Sequence, residues 1–449
     1  MAGHATERWT YGALEDLVLR MAEGLRRAGL EPGERLFIRM GNSLDFALAF
    51  FAAAAMGAVP IPASALLTPR EVAKLMADSA AKMIAWDGVL DLPAFPDVRV
   101  LDPEAIAALK RAPRKGYAAT LADDPGYMVY TSGTSGTPKG VLHAHRAVWG
   151  RRPMYQGWYG LRPDDVLLHT GAFNWTYTMG TGLFDPFANG ATAIVYTGPR
   201  DPHVWQRLIA DHGATIFASV PGIYRQILRT GFKPHASLRH GLSAGEALPP
   251  VLLQHWREAT GREIYEAIGM SEISTYISSA PSVPVKPGSP GKPQPGRAIR
   301  LLDDGEIGVH RTDPGLMLRY WGDAPLEGEW FATGDAAHID AEGYVWHHGR
   351  VDDLMNAGGI RVSPLEVEGV LAQHPQVAEA AVREWRVSET LSIIAGFVVP
   401  KEGAAPDEAA LLAFARERLA AYKVPKQITL VKALPRTANG KIIRKALTL

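Results

Sequence analysis

The chain has 449 residues, 47% of them hydrophobic and 21% charged, which excludes a largely disordered polypeptide. Lys+Arg and Asp+Glu are 47 each, so the formal net charge is zero and does not suggest a global polyanion-binding surface, while leaving room for a local basic site; nucleic acid is not an expected partner. Cysteine is absent, which excludes disulfides, thiolate metal sites and cysteine nucleophiles and suits a reducing, cytoplasmic location.

The N-terminal Met1 to Trp9 is polar and lacks the apolar core of a signal peptide. Thr10 can cap a helix whose apolar positions Leu14, Leu17, Val18, Met21 and Leu25 follow helical spacing and which Gly29 ends. Arg35 to Met40 reads as a strand. Phe46 to Ala63 carries no charge over 18 residues, long enough for a membrane span, but it is alanine-rich and holds Gly57, Pro60 and Pro62. It reads as a buried helix, capped by Asn42 or Ser43, running into a short strand Ala58–Ile61; no membrane span is expected. Further pairs follow: Ala191–Tyr196 with His203–His212, and Thr215–Val220 with Ile223–Thr230. This alternation argues for parallel sheets covered by helices.

Between Ala280 and Pro325 prolines and glycines become dense, with short extended pieces such as Ala298–Leu302 and Gly305–His310. A small antiparallel or barrel-like element is expected there. A second change comes after Gly349-Arg350-Val351-Asp352-Asp353. The remainder carries two helical patterns, Pro364–Gln373 and Asp407–Ala421, with several short strands, and reads as a small α+β domain. The division is therefore placed at 1–351 and 352–449.

The run Tyr130-Thr131-Ser132-Gly133-Thr134-Ser135-Gly136-Thr137-Pro138-Lys139-Gly140 carries the strongest signal. Its eleven residues hold five Ser/Thr, three Gly and one Lys. Glycines let the backbone turn tightly and present N–H groups, hydroxyls add donors and the lysine adds charge, which together suit phosphate oxygens. The usual nucleoside-triphosphatase loop needs Gly before Lys and Ser/Thr after it; here those places hold Pro138 and Gly140.

This run resembles the phosphate-binding loop of the adenylate-forming superfamily, which includes acyl- and aryl-CoA ligases. The resemblance continues in order through Ser243-Ala244-Gly245-Glu246-Ala247, Ile268-Gly269-Met270-Ser271-Glu272, Gly291-Lys292-Pro293-Gln294-Pro295-Gly296, Thr333-Gly334-Asp335, Gly349-Arg350-Val351-Asp352-Asp353 and Pro435-Arg436-Thr437-Ala438-Asn439-Gly440-Lys441. It implies an α/β fold: a large N-terminal domain of two parallel-type sheet subdomains plus a small β-barrel-like element, and a small mobile α+β C-terminal domain.

The implied reaction has two steps. A carboxylate attacks the α-phosphorus of ATP, releasing pyrophosphate and leaving an acyl-adenylate; the thiol of coenzyme A then displaces AMP. At about 4 Å and an effective dielectric near 20, each like-charge pair in the first step costs about 4 kcal/mol, so the site must supply cations and donors. By resemblance Lys441 bridges carboxylate and α-phosphate, Glu272 holds Mg²⁺, and Thr131 joins them as a catalytic group. Thr131 through Thr137, with Lys139, would cradle the phosphates. Gly245, Glu246, Ala247, Ile268, Gly269, Met270 and Ser271 would surround the nucleotide, Asp335 would accept from both ribose hydroxyls, and Arg350 would join the ribose or phosphate. Asp352 would be the pivot that swaps Lys441 for Gly358, Gly359 and Arg361, the latter three lining the CoA tunnel.

The implied acyl pocket is lined by Trp175, Tyr177, Thr178, Gly245, Ile268, Gly269 and Met270. Acetyl-CoA synthetases carry a tryptophan where this chain has Gly269, so an acid larger than acetate, medium-chain or aromatic, is expected. Amino-acid-activating relatives place an aspartate where Tyr177 stands, and the chain ends soon after Lys441 with no carrier domain. Both points favour CoA as acceptor. The alternatives are a free-standing enzyme that loads a carrier protein and a non-catalytic nucleotide or acyl-CoA sensor; monomer and homodimer both stay open. Ile268 departs from the family pattern, replacing an aromatic residue usual beside adenine.

Overall fold

The computed structural model describes residues 6–131, 138–303, 305–357, 360–387, 392–437 and 440–449; Asn356, Ala357, Ile360 and Arg361 are described by backbone only. The first helix, Tyr11–Arg27, starts where the Thr10 hydroxyl accepts the Ala13 N–H at 3.3 Å, and it buries Val18, Leu19, Met21 and Leu25. Gly29 leaves it at φ +97°, a left-handed conformation in which glycine carries no steric penalty.

The uncharged stretch forms the buried helix Leu44–Ala55 followed by the strand Val59–Pro62. Ser43, rather than Asn42, caps it, accepting the Phe46 N–H at 3.1 Å. Asn42 is used elsewhere. It accepts the Phe173 N–H at 2.9 Å and donates to the Gly171 carbonyl at 2.8 Å, tying this helix to the segment that leads to Trp175. Among the described residues no helix is long and apolar enough to cross a membrane.

Two sheets with parallel strands form the large domain. The first runs Val59–Pro62, Arg35–Arg39, Met83–Trp86, Arg99–Leu101, all parallel. The second has seven strands in the order Lys292–Pro293, Ser274–Ser278, Ile264–Met270, His240–Ala244, Ile216–Ser219, Val166–His169, Thr192–Ile194. Its last five strands are parallel, while Ser274–Ser278 turns back antiparallel on Ile264–Met270. The C-terminal ends of these parallel strands deliver His169, Ala244 and Met270 to one edge, the usual address of ligands in open α/β sheets.

The turn-rich stretch forms the expected small antiparallel element as a four-stranded sheet, ordered Ile299–Leu301, Glu306–His310, Trp330–Ile339, Val345–Arg350; no pairing closes it into a barrel among the described residues. A further sheet joins Arg319–Tyr320, Lys139–Ala144 and Pro125–Thr131. The smaller C-terminal domain has its own core of Val367, Leu371, Val382, Val398, Leu411 and Ile428. Its helices are Pro364–Leu371 and Glu408–Arg416. The second is shorter than its sequence pattern because tighter turns follow, the Arg418 N–H reaching Ala415 O at 3.1 Å.

Candidate active site

The phosphate-loop run lies in the antiparallel hairpin of Pro125–Thr131 and Lys139–Ala144, which sets Thr131 directly across from Lys139. Ser132, Gly133, Thr134, Ser135, Gly136 and Thr137 lie outside the described residues. Lys139 is exposed, with Nζ 4.8 Å from the centre of the Tyr320 ring. Tyr320 in turn pairs with Val141 on the same small sheet and donates its hydroxyl to Glu272 Oε1 at 2.8 Å. Burial, with Glu272 adjacent, pushes the Tyr320 pKa up, so the hydroxyl keeps its proton and remains a donor.

Glu272 is 8% exposed and is held by its backbone. The Met317 N–H donates to the Glu272 carbonyl at 2.7 Å, and His143 Nε2 lies 2.8 Å from the Ser271 carbonyl. A carbonyl only accepts, so Nε2 carries the hydrogen. His143 stacks on Tyr127 at 4.6 Å, and burial pushes its pKa down to about 4, so it is neutral. On the other side of Glu272, Ser274 takes φ +74°, a costly conformation for a residue with a side chain. Its hydroxyl accepts from Arg151, which is itself fixed by a buried two-pronged pair with Asp185 at 2.6 and 2.7 Å. The carboxylate therefore projects from a braced turn.

Asp335 and Arg350 face each other across the Trp330–Ile339/Val345–Arg350 hairpin. Asp335 is 7% exposed, accepts the Tyr276 hydroxyl at 3.1 Å, and lies 3.2 Å from His347 Nε2 and 3.6 Å from Arg350 Nη1. Burial alone would raise its pKa; the His347 and Tyr276 hydrogen bonds and the Arg350 charge outweigh that and hold it below the ordinary aspartate range. Arg350 also donates to the Thr333 carbonyl at 2.6 Å.

Gly245 ends the strand His240–Ala244 at φ +94°, and a methyl group there would sit 2.6 Å from Trp175 ring atoms, so only glycine fits beneath this indole. Trp175 meets Tyr177 edge-on at 5.2 Å. Glu246 is half-buried, and Ala247 is exposed.

The expected acyl lining is only partly assembled. Trp175, Tyr177 and Gly245 come together, but the Tyr177 hydroxyl donates to the Ser219 and Leu242 carbonyls at 3.1 Å each, which makes it a wall fixed by the core. Thr178 is fully buried. Ile268 and Met270 pack instead with Ile273, Tyr276 and Ile277 under the four-stranded sheet, because side chains alternate along the strand; Ala267 is the one that joins the Tyr177 cluster. Gly269 does not simply leave room. A methyl group there would lie 2.6 Å from the Ser274 carbonyl and 2.8 Å from Thr275 Cα, so the space is filled by the returning strand.

In the C-terminal domain Asp352 is exposed within the short turn Val351–Asp353. Gly358 and Gly359 lie outside the described residues, and the Arg361 backbone pairs with Asn356. Lys441 is exposed on a turn closed by Thr437 N–H to Lys441 O at 2.8 Å and Gly440 N–H to Thr437 O at 2.9 Å. That turn packs on the large domain: a methyl group at Gly440 would lie 3.4 Å from Glu246 Oε1.

Sequence reasoning missed Tyr320, His143, Tyr276 and His347. Three act through contacts between residues far apart in the chain, 48 positions for Tyr320, 59 for Tyr276 and 128 for His143, and His347 reaches Asp335 only once the hairpin has paired, so no spacing pattern marks them.

The chain matches the AMP-binding enzyme model over residues 2–321 and the AMP-binding enzyme C-terminal domain model over 366–441. It is 32% identical to a 3-hydroxybenzoate–CoA ligase of Aromatoleum sp. (strain CIB), covering 96% of this chain and 90% of that protein. It is 30% identical to an acetyl-coenzyme A synthetase of Bacillus subtilis (strain 168), covering 98% and 85%. The crystal structure of the anthranilate CoA ligase AuaEII in complex with anthranoyl-AMP superposes with a TM-score of 0.87 at 30% identity, covering 97% and 90%. The chain belongs to the AMP-binding enzyme family, with both of that family's domains and the architecture of its acid–CoA ligases.

Proposed function

We propose that this protein is an ATP-dependent acid–thiol ligase that activates a carboxylic acid larger than acetate, of the aromatic class, and passes it to coenzyme A. The observation that carries the reading is the seating of the Lys441 turn against Glu246, which follows the strand His240–Ala244 at the same sheet edge where Glu272 follows the parallel neighbour Ile264–Met270. A carboxylate oxygen attacks the α-phosphorus, and the bond to the bridging oxygen breaks to release pyrophosphate. The CoA thiolate then attacks the acyl carbon, and AMP leaves with the bonding pair.

In this reading Lys441 supplies the mobile cation between the two anions, Lys139 and the hydroxyl-rich loop receive the β- and γ-phosphates, and Asp335 accepts from the ribose hydroxyls. Arg350 holds Asp335 in place and adds charge near the ribose. A single buried carboxylate, Glu272, with one oxygen steadied by Tyr320, suits Mg²⁺, which is commonly held by one or two carboxylates, phosphate oxygens and water. The metal would neutralise phosphate charge. In the same reading Asp352 would be the pivot between the two half-reactions, the domains would divide at 351/352, and Gly358 and Gly359 would line the thiol path.

Aromatic acids are favoured because the relatives include ligases named for 3-hydroxybenzoate and anthranilate, and because the half-buried Trp175 indole, propped edge-on by Tyr177, suits contact with a ring. The acetate-activating relative keeps the opposite outcome in view. The test is acid-dependent pyrophosphate release with ATP and Mg²⁺ across acetate, medium-chain and benzoate-type acids, followed by thioester detection on adding CoA. Highest kcat/KM for acetate overturns the substrate class, and release without thioester overturns the acceptor.

A further inference from the structure

The turn bearing Lys441 is tied to the large domain by a chain of four alternating charges. Arg436 Nη1 lies 3.3 Å from Glu246 Oε2 and also donates to the Gly440 carbonyl, the residue just before Lys441. Arg436 Nη2 lies 3.1 Å from Glu379 Oε2, and the other Glu379 oxygen takes Arg225 Nη1 at 2.9 Å.

Arg225, on the helix Pro221–Arg229, and Glu246 belong to the large domain, while Glu379, on the strand Val377–Arg386, and Arg436 belong to the small one. The row therefore crosses between domains twice, once at each end, and its charges cancel. The four side chains are between 23% and 32% exposed, so solvent screens them less than an open surface pair. Arginine suits the central place, because one planar guanidinium can serve Glu246, Glu379 and the Gly440 carbonyl together.

We propose that Arg436 is a positioning residue for the first half-reaction: it latches the small domain in the orientation that brings Lys441 to the nucleotide, and the Arg225–Glu379 pair is the second half of that latch. The inference rests on the two-orientation reading above and adds the residues that set the balance. Swinging the turn away separates Arg436 from Glu246 and Glu379 from Arg225 together, so the two ion pairs act on one equilibrium. The bond from Arg436 to Gly440 stays within the small domain and travels with Lys441.

The test reads orientation independently of turnover. Because the chain has no cysteine, exposed Val251 in the large domain and exposed Val387 in the small one can be replaced by cysteine and spin-labelled without background. The inter-label distance distribution of this otherwise wild-type protein is compared with the same pair carrying Arg436→Gln or Arg225→Gln. We expect both substitutions to shift population out of the wild-type distance peak, Arg436→Gln more strongly, and raised salt to shift the wild type the same way.

The kinetic companion is a split between half-reactions. Arg436→Gln should slow adenylation about tenfold, corresponding to about 1.4 kcal/mol, while thioester formation from supplied acyl-adenylate stays within about twofold. Arg436→Lys should restore part of the rate. Distance distributions unchanged in both variants overturn the latch, as does equal loss of both half-reactions. Absence of acid-dependent pyrophosphate release in the wild type counts against the proposed activity but leaves the distance readout to decide the latch.

Discussion

The Tyr320 hydroxyl donates to Glu272 Oε1 at 2.8 Å, while Lys139 Nζ lies 4.8 Å from the centre of the same ring. One side chain thus links Lys139 to Glu272, the lysine proposed for the phosphates and the carboxylate proposed for Mg²⁺. Hydrogen bonds to charged acceptors contribute about 1.5–3 kcal/mol, and a cation over an aromatic face about 0.5–2 kcal/mol. Tyr320→Phe keeps the ring and removes only the hydrogen bond. We expect it to raise the Mg²⁺ concentration needed for half-maximal adenylation severalfold and to leave the KM for ATP nearly unchanged. Tyr320→Leu loses both contacts and should raise the KM as well. Titrating pyrophosphate release with Mg²⁺ and with ATP separates the two; coincident Mg²⁺ curves for wild type and Tyr320→Phe would contradict this role.

Asp335 is the next place where a pair of contacts makes a specific claim. Its carboxylate is held by His347, Tyr276 and Arg350, so its position is fixed before any ribose arrives. Asp335→Asn replaces an acceptor-only group with one that also donates, and each ribose hydroxyl then competes for a single good acceptor. We expect the KM for ATP to rise about tenfold or more, with a smaller change in kcat. The wild type should also discriminate against 2′-deoxy-ATP, and the variant should lose most of that preference. Equal discrimination in both proteins would remove Asp335 from the ribose site.

The parallel-sheet core was readable in the sequence because its signals are local. Thr10, the alanine-rich helix and the glycines at helix ends each act within a few residues, and the predicted strands at 35–40, 191–196 and 215–220 fall on observed ones. The ordered motifs likewise point, by resemblance alone, to Glu272, Asp335 and Lys441 as site residues. What the sequence hid is set by packing across the chain. Gly269 reads as an absent side chain and an opened pocket, yet the Ser274–Thr275 backbone fills that space, a fact fixed by the pairing of two strands. The resemblance implies a place in the pocket for Ile268 and Met270, but strand alternation turns them under another sheet. The bracing of Glu272 by His143 and Arg151 depends on residues more than a hundred positions away.

His143 carries a pH signature. Burial pushes its pKa from 6.5 down to about 4, so the folded state holds it neutral while the unfolded chain protonates it below about pH 6.5. The unfolded state then binds more protons, and stability must fall as pH drops through that window. At pH 5, about 1.5 units below the unfolded value, the loss from this one group is about 2 kcal/mol. His143→Gln retains a donor for the Ser271 carbonyl and removes the titration. The variant should be less stable than wild type at pH 8, and the gap should narrow or reverse by pH 5. Denaturant melts of both proteins across that range give the comparison directly; a gap that stays constant would mean His143 is accessible to protons in the fold. The pairwise difference is the quantity to follow, because buried Glu266, with its pKa raised to about 7, opposes the trend in the total.

Trp175 and Gly269 separate two ways of changing which acid is accepted. The Trp175 indole lies over Gly245 and edge-on to Tyr177, so Trp175→Ala removes a wall without touching the strands. We expect kcat/KM to fall for the preferred acid and to rise for bulkier ring-substituted acids relative to it, by a factor of about 10–200 if one to three kcal/mol of contact is redistributed. Gly269→Trp would instead drive a side chain into the Ser274 carbonyl at its first carbon, and overpacking of that kind costs about 1–3 kcal/mol or more. That substitution should lower the melting temperature and disturb Glu272, three residues along, before it narrows the pocket. Adenylation measured across a graded series of acids, alongside thermal melts, distinguishes the two outcomes. A Gly269→Trp protein that melts normally and simply prefers acetate would show that the returning strand yields, and that the glycine opens the pocket after all.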